Sequence, residues 1–488
     1  MEMVYHQRYK LAGLEHDENQ PSFFPPIMVI PCTTSQKAEV TMKICILDGS
    51  RPDDAMGNRI EKLLIPLLSE HQTELFVIRE MEIAPCMGDF LCWTKTPGIC
   101  KNHDDNRLIA EAMIKSELLI LLSPITFGGY SSLLKSGLDH LIQNISPFFT
   151  KIEGQTHHKK RYKRYPNLAV IGWETKPDSK TEMIFKHLVW RNSLNFSAEK
   201  TCCEIFHPVD KDEHITKKIR GILEGTSTLL DHQVLLRKAT QDESPTKERI
   251  QTKIGPRIQK ALLLVGSPRK ERSSSQSLGS YLCSRLQQHT VETETVLLYA
   301  RNMRENQEEV FAKIDKADLV ILAFPLYVDS MPSPVIEFLE QLRIHKDSEQ
   351  SINRTTEKNR DTTHLIALVN CGFPEASHND TALAILEQFA KSSGFLWMGG
   401  IGVGGGNGFG GKSLEEGTGA TIPIRMALDL ASEALAKGEP IPQVAVDMAM
   451  KQPYPSFLFR FGAQFFWRAK ATRYGVKREI DDKPYNKD

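Results

Sequence analysis

Three cysteines and one aspartate lie close together in the turn-rich stretch CMGDFLCWTKTPGIC, residues 86–100. Their order is Cys86, Asp89, Cys92, Cys100, and a cysteine in place of Asp89 would complete a run typical of iron–sulfur ligation. A carboxylate also binds iron, but it is harder than a thiolate and would make a more labile cluster. The pattern is compatible with a cluster, with zinc, or with a metal-free loop of free thiols. We expect no metal; if a cluster is present, these four residues are its ligands.

Two turns rich in hydroxyl groups and glycine are candidates for binding an anion. GSRPDDAMGNR at 49–59 and GSPRKERSSSQS at 266–277 each follow an apolar run and precede a helical pattern. The N-terminus of a helix directs N–H groups and a positive dipole end towards an anion. Neither turn has the G-x-G-x-x-G pattern of a dinucleotide fold, so phosphate is expected rather than NAD; ordinary turns with serine N-caps are the alternative. The candidate residues are Ser50, Arg51, Gly57, Asn58, Ser267, Arg269, Ser273, Ser274 and Ser275.

Two later loops combine proline with aromatic residues: SPITFGGY at 123–130 and FPLYVDSMP at 324–332. In a doubly wound sheet, the first and third strands flank the switch point where ligands bind. A phosphate turn after the first strand and an apolar loop after the third suit a flat, phosphorylated ligand such as FMN. The alternative is that the aromatic side chains only pack on the sheet. The candidate residues are Ser123, Pro124, Ile125, Thr126, Phe127, Gly128, Pro325, Leu326, Tyr327 and Val328.

The elements that must position these loops occur twice. KALLLVGSPR at 260–269 repeats KICILDGSRP at 43–52, and the segment 317–342 repeats 116–141, which indicates an internal duplication. Buried-strand runs alternate with helical spacing in both halves, as in parallel sheets. We therefore expect an α/β fold with two tandem domains. Each should be a five-stranded parallel sheet, in the order 2-1-3-4-5, with helices on both faces.

The predicted boundaries follow from composition and from the repeat. A chain of 488 residues is too long for one ordinary core. The polar stretch ATQDESPTKERIQTK has the composition of a linker. We expect a poorly ordered leader at 1–41, a first domain with the inserted cysteine loop at 42–240, a linker at 241–257, a second domain at 258–445 and an aromatic helical extension at 446–488.

Bulk composition excludes several classes of function. Lys plus Arg and Asp plus Glu both number 61, so no global field favours nucleic acid. No apolar run is long enough to span a membrane. Nine cysteines without a secretory signal suit a reducing compartment. We expect a cytoplasmic protein.

The quoted motifs resemble a known superfamily. The first half is similar to the iron–sulfur flavoprotein branch of the flavodoxin-like superfamily, near the NADPH-dependent FMN reductases, through GS at 49–50, CWTKTPGIC at 92–100 and SPITFGG at 123–129. The second half resembles an NADPH-dependent FMN reductase through VGSPRKERSSS at 265–275 and CGFPEASHN at 371–379. The latter motif adds Gly372 to the candidate cofactor residues. The resemblance implies flavodoxin-like domains that bind FMN, often in dimers or tetramers.

The function implied is that of an FMN-dependent oxidoreductase, which passes electrons from NAD(P)H through flavin to a small-molecule or protein acceptor. Hydride transfer to a flavin needs stacking geometry and no protein acid or base, so we name no catalytic side chain. An electron carrier without its own NAD(P)H turnover is the alternative. A third interpretation is that one domain has lost its flavin and serves as a scaffold. We expect a homo-oligomer, with neither a nucleic-acid partner nor a membrane span.

Overall fold

The computed structural model of the chain describes residues 27–30, 42–231, 257–299, 306–353, 363–409, 412–416, 419–452 and 455–485. These residues form two α/β units, each built around its own sheet. Apart from residue 257, the predicted linker lies outside the described residues, as does most of the predicted leader.

The first unit contains a six-stranded sheet in the order β1-β3-β2-β4-β7-β8. Its strands are β1 (Ile27–Ile30), β2 (Lys43–Asp48), β3 (Gln72–Val77), β4 (Leu118–Pro124), β7 (Asn167–Trp173) and β8 (Thr201–Phe206), and a separate hairpin is formed by β5 (Ile145–Ile152) and β6 (Gln155–Lys160). All pairs in the sheet are parallel except β1 with β3, where Ile27 lies opposite Phe76. Four residues of the predicted leader thus form an edge strand of the first sheet.

The second unit contains a five-stranded sheet in the order β10-β9-β11-β12-β13, with every pair parallel. The strands are β9 (Lys260–Val265), β10 (Glu292–Leu297), β11 (Leu319–Pro325), β12 (His364–Asn370) and β13 (Leu396–Val403). Six residues of β11 and all of β12 are buried. Their continuous apolar sequences are explained by helices that cover both faces of the sheet.

The helices follow the strands in a repeated pattern. In the first unit they are α1 (Ala55–Leu64), α2 (Leu91–Thr94), α3 (Asn106–Lys115), α4 (Ser132–Asp139), α5 (Ser179–Asn195) and α6 (Asp212–Leu223). In the second unit they are α7 (Ser274–Gln288), α8 (Gln307–Lys316), α9 (Ser333–Asn353), α10 (Asp380–Ser392), α11 (Ile422–Ala436) and α12 (Gln443–Ala449), and α13 (Ser456–Arg473) follows them.

The two units pack against each other through equivalent helices. Helix α4 contacts α9, and α5 contacts α10. The buried apolar residues of this contact belong to one cluster that draws on both units, with Leu134 and Leu138 from the first and Ile336 and Leu339 from the second. A pseudo-twofold arrangement therefore exists within one chain, and it is stabilised by continuous apolar burial.

Helix α13 returns to the first unit. Its Trp467 and Ala471 pack in a cluster with Trp93 and Phe148. The rest of the helix is largely open: Phe457, Phe461, Phe465 and Phe466 are each more than half exposed. Within the described part of the chain, no helix combines the length and apolar character that a membrane crossing requires.

Candidate functional site

The turn after β2 is occupied by a buried carboxylate. Asp48 is 2% exposed, and its carboxylate accepts hydrogen bonds from the backbone N–H and the hydroxyl of Ser50, both at 2.9 Å. Arg79 Nη1 donates to Asp48 Oδ2 at 2.8 Å and to Ser50 Oγ at 2.9 Å. The hydroxyl predicted to bind phosphate is thus already engaged within the protein.

The N-terminus of α1 beside this turn is also capped by a carboxylate. Asp54 Oδ1 accepts from the N–H groups of Met56 at 3.1 Å and Gly57 at 2.9 Å. Trp173 Nε1 donates to Asp54 Oδ2 at 2.8 Å, and a Cβ on Gly57 would lie 2.9 Å from the Trp173 ring. Two carboxylates therefore take the donors that a phosphate dianion would need, and like charge disfavours an anion here.

The two remaining candidates in the first turn also have protein partners. Arg51 Nη2 forms an ion pair with Glu340 Oε2 of helix α9 at 2.7 Å. Asn58 Nδ2 donates to the Pro52 carbonyl at 3.3 Å. The turn of the first unit is therefore closed by its own side chains and by the second unit.

The turn after β9 has a different donor set. Ser273 caps α7 by accepting from Gln276 N at 3.1 Å, whereas Ser275 Oγ donates to Asn370 Oδ1 at 2.8 Å. Ser267 is 2% exposed, and among the described residues neither its hydroxyl nor the N–H groups of Ser274 and Ser275 have a hydrogen-bond partner. These orphan donors at a helix N-terminus fit a phosphate group.

The charges around this second turn support the same conclusion. Arg269, Lys270 and Arg272 are basic, and Glu271 is exposed. Ser274 Oγ donates to the Gly406 carbonyl at 2.6 Å, which ties the turn to the loop after β13. The second turn therefore keeps unpaired donors and is net basic, whereas the donors of the first turn are taken by its own carboxylates and Asp48 is paired with Arg79.

The loops after the third strands adopt the same strained turn in both units. Thr126 forms an isolated antiparallel β-bridge with Gly129, and Tyr327 forms the equivalent bridge with Ser330. Val328 and Asp329 have φ values of 47° and 56°, a left-handed conformation that costs non-glycine residues free energy and that clusters at functional sites.

The strained loop of the second unit is held by the first. The carboxylate of Asp329 accepts from Arg191 Nη2 at 3.0 Å and from Asn192 Nδ2 at 3.1 Å, and it is also bonded by Asn195. The side chains of Arg191 and Asp329 are 4% and 2% exposed. Burial raises the pKa of Asp329, but the charge and hydrogen bonding of Arg191, together with His378 and His157, outweigh it, so the pKa is lowered overall. The loop is thus fixed by a buried ion pair between the units.

The equivalent loop of the first unit faces a helix rather than a cavity. The Phe127 ring packs edge-on against Phe389 of α10, with the centroids 5.0 Å apart. A Cβ on Gly129 would lie 3.1 Å from Ile385. For Phe127, the alternative that the aromatic side chain serves packing fits this contact.

A pocket lies between the units, with one wall from each. The first unit contributes the cysteine loop and the second contributes the loops after β11 and β12. Of the predicted residues, the pocket brings together Cys86, Asp89, Cys92, Cys100, Leu326, Tyr327, Val328 and Gly372. The phosphate-turn candidates of both units do not line it, and neither do residues 123–128 or Pro325; the turn candidates outside it are Ser50, Arg51, Gly57, Asn58, Ser267, Arg269, Ser273, Ser274 and Ser275.

The cysteine loop is seated directly on the second unit. Gly88 has φ +58°, and a Cβ at this position would lie 2.0 Å from the Tyr327 hydroxyl. Arg269 Nε donates to the Gly88 carbonyl at 2.9 Å. Only glycine allows this approach without displacing Tyr327.

The groups that could ligate iron also have partners within the protein. Asp89 Oδ2 pairs with Lys101 Nζ at 2.5 Å, and Cys100 Sγ lies 3.5 Å from His140 Nδ1. Burial raises the pKa of the Cys86 thiol to about 12. Among the described residues, no three ligand atoms of the loop lie within 4.8 Å of one another. A polynuclear cluster spreads its thiolates over several irons, and three thiols on one pocket wall fit that requirement.

Several pocket residues were not among the candidate site residues predicted from the sequence. His158 comes from the β5–β6 hairpin, Phe373 from the loop after β12 and Trp467 from α13. Burial lowers the pKa of His158 to about 3, so its ring is neutral. The strand QTHHKK shows no alternation of buried and exposed side chains, so periodicity gave no signal for His158.

Comparisons with known proteins agree with this architecture. The profile of the NADPH-dependent FMN reductase family matches residues 42–156, and the flavodoxin-like fold profile matches 259–416. An iron–sulfur flavoprotein of Methanocaldococcus jannaschii is 33% identical over 100 residues, which covers 20% of this chain and 51% of the relative. The chain thus spans about half the length of this curated relative.

Solved structures of low identity are also similar in part. The NAD(P)H:quinone oxidoreductase of Methanothermobacter marburgensis is 14% identical, with 37% of this chain and 96% of that chain covered and a TM-score of 0.26. A flavodoxin of Streptococcus pneumoniae is 12% identical, with 36% and 97% covered and a TM-score of 0.25.

The expected family resemblance and α/β fold class are confirmed by the two profile matches, which fall on the two α/β units. The first sheet departs from the expected five parallel strands, because β1 adds a sixth, antiparallel strand at its edge. The chain therefore carries two flavodoxin-like regions in tandem, the first of which matches a family of flavin-dependent oxidoreductases.

Proposed function

We propose that the protein is an FMN-dependent oxidoreductase that passes electrons from NAD(P)H to an acceptor, and that its working flavin belongs to the second domain. When bound, FMN supplies the hydride and electron chemistry. The observation that carries the proposal is the contrast between the two phosphate turns. Asp48 and Asp54 occupy the first, whereas the second presents orphan donors and basic residues.

The residues of the second domain have distinct roles in this proposal. Ser267 and the N–H groups of Ser274 and Ser275 hold the phosphate. The backbone of the loop at 326–329 lies along the pocket, where it can bond the edge of the flavin ring. The ion pair between Arg191 and Asp329 fixes that loop before any ligand arrives, which lowers the ordering cost of binding.

The first domain completes the site from the opposite side. Its cysteine loop covers the pocket next to Tyr327, and Trp93, which is 1% exposed, closes the wall. These apolar groups exclude water from the place where a hydride donor and acceptor would meet. The first domain thus acts as a cap rather than as a second flavin domain.

The alternative function is that of an electron carrier. It is favoured by Cys86, Cys92 and Cys100 lining the same pocket as the second-domain loops, a position from which a cluster could exchange electrons with the flavin. Steady-state oxidation of NADH or NADPH separates the two functions, because a carrier would not turn over either nucleotide alone with a small quinone.

Matched serines test the assignment of the flavin. FMN per chain would be counted in the wild type and in the variants Ser267→Ala and Ser50→Ala, which alter equivalent turns. We expect about one FMN in the wild type, weaker retention in Ser267→Ala because a donor to a dianion is lost, and no change in Ser50→Ala. Two FMN per chain, or loss only in Ser50→Ala, would contradict the assignment.

A further inference from the structure

A second group of potential ligands lies outside the pocket, at the carboxyl edge of the first sheet. We propose that Glu174, Glu182 and His207 form a binding site for a divalent transition-metal ion, with Zn²⁺ the best match. This site is separate from the cysteine loop and does not depend on the proposed flavin chemistry.

The three side chains converge on one point. His207 Nε2 lies 3.5 Å from Glu174 Oε1 and 3.5 Å from Glu182 Oε1. In the described part of the chain, these are the only three His, Cys, Asp or Glu side chains whose ligand atoms lie within 4.8 Å of one another. Ligands about 2.0–2.2 Å from a tetrahedral metal are separated by roughly this distance.

The histidine nitrogen is the observation that points to a ligand. His207 Nε2 is buried and makes no hydrogen bond of normal geometry, although two carboxylate oxygens lie 3.5 Å from it. A buried polar atom without a partner costs free energy. A cation between the three groups would satisfy the nitrogen and both carboxylates together.

The surrounding residues orient the three candidate ligands. Asp178 N donates to Glu174 Oε1 at 2.9 Å, and Lys186 Nζ donates to Glu182 Oε2 at 3.3 Å, leaving Oε1 directed towards His207. Asp210 Oδ2 lies 3.7 Å from His207 Nδ1. A carboxylate behind a ligating histidine fixes its tautomer and orientation.

The loop that carries the histidine is itself anchored. Arg59 of α1 donates to the Asp210 carbonyl at 2.5 Å and from Nε to Asp212 Oδ1 at 2.7 Å. The geometry around His207 is therefore set by the fold and does not depend on a bound ion.

The site would join three elements. Glu174 follows β7, Glu182 lies in the first turn of α5, and His207 follows β8. The C-terminal part of α5 carries Arg191, which holds the second-domain loop. A bound ion would thus anchor the helix on which the domain contact depends.

The donor set indicates the class of metal. One imidazole and two carboxylates suit Zn²⁺, Mn²⁺ or Fe²⁺, and among these the general affinity order favours Zn²⁺. Three protein ligands leave a tetrahedral ion one open position. The side chains of Glu174, Glu182 and His207 are 10%, 23% and 15% exposed, so a small ion can enter but the site is largely shielded.

The test is a Zn²⁺ titration of the full-length, chelator-treated protein by calorimetry. His207→Ala and Glu182→Gln are compared with the wild type, and the exposed His214→Ala is the matched control. We expect the two site variants to lose one equivalent of Zn²⁺, or to bind it at least about 100-fold more weakly. His214→Ala should bind as the wild type does. All four proteins keep the cysteines, so Zn²⁺ bound by thiols contributes equally to each titration.

Folding is checked independently by circular dichroism and by the melting temperature in EDTA. Glu182→Gln conserves shape, so it keeps the test valid if His207→Ala does not fold. Zn²⁺ should raise the melting temperature of the wild type more than that of Glu182→Gln. Equal stoichiometry and affinity in the wild type and in the folded site variants would overturn the proposal, whatever the flavin content.

Discussion

Arg269, from the phosphate turn of the second domain, donates through Nε to the main-chain carbonyl of Gly88 in the cysteine loop of the first domain, at 2.9 Å. Its guanidinium also lies 5.2 Å from the centroid of the Phe90 ring. The residue expected to bind phosphate therefore joins the turn to the loop that caps the pocket.

Replacing Arg269 should weaken the contact between the domains. We expect Arg269→Ala to lower the free energy of unfolding by about 1.5–3 kcal/mol, because a charge-assisted hydrogen bond is lost. Urea unfolding measures the change. Arg272→Ala, an exposed arginine of the same turn, should have little effect; equal losses in both variants would mean that the Gly88 contact contributes nothing specific.

Adding a methyl group to Gly88 should displace the cysteine loop. The new Cβ would meet the Tyr327 hydroxyl at 2.0 Å, and the backbone has φ +58°. Gly154→Ala is the matched control, since its φ is +78° and nothing lies within 4 Å of the new Cβ. We expect Gly88→Ala to be less stable than this control by about 1–3 kcal/mol in denaturant unfolding. Adding Tyr327→Phe should recover part of the difference, and no recovery would argue against the steric cause.

The ion pair between Arg191 and Asp329 should be costly to break from one side. Arg191→Met leaves a buried carboxylate without its partner, for which we expect a loss of about 3–5 kcal/mol. The exposed pair between Lys180 and Glu387 also links the domains, and Lys180→Ala should cost at most about 1 kcal/mol. The double variant Arg191→Met/Asp329→Leu should lose less than Arg191→Met alone. A similarly small loss of stability in Arg191→Met, Lys180→Ala and the double variant would show that the buried pair is not needed to hold the loop.

Replacing Asp89 tests the cysteine loop as a cluster site. If three thiolates and a fourth position can surround a cluster, Asp89→Cys should raise the iron and sulfide content after anaerobic reconstitution, because thiolate is the softer ligand. Adding Cys92→Ser should reverse the gain. Iron at background in Asp89→Cys would favour the metal-free loop.

Acid should weaken the structure through two buried histidines. Burial lowers the pKa of His157 to about 4 and that of His158 to about 3. In the unfolded chain, histidine pKa values are near 6.5, so at pH values between the folded and unfolded pKa the unfolded chain binds more protons than the folded protein. Stability is therefore complete above about pH 6.5 and falls as pH drops towards 4, by at most about 1.4 kcal/mol per pH unit for each histidine.

Urea unfolding between pH 7 and pH 4.5 measures this dependence. The variant His157→Phe keeps an aromatic ring and cannot be protonated, so its stability should change less steeply with pH. The exposed His214→Ala should retain the slope of the wild type. If the stability of His157→Phe changed with pH as steeply as that of the wild type, the acid sensitivity would come from other groups.

Much of the architecture could be predicted from the sequence because it depends on local patterns. The repeat of KICILDGSRP in KALLLVGSPR placed the first strand and its turn in both domains. Continuous apolar runs such as LVILAF indicated strands buried on both faces, and alternation with helical spacing indicated parallel connections. The cysteine loop was recognised as an addition to the first copy.

The state of each site was decided by contacts between distant residues. The two turns look alike in the sequence, yet Trp173 reaches Asp54 across the sheet and Asp48 turns inward to Ser50, which closes only the first. The packing of the domains, set by α4 against α9 and α5 against α10, places the cysteine loop over Tyr327. Local sequence specifies strands, helices and turns through short-range sterics and periodicity. Which turn stays open, and which loop faces it, depends on tertiary packing and on the burial of charge.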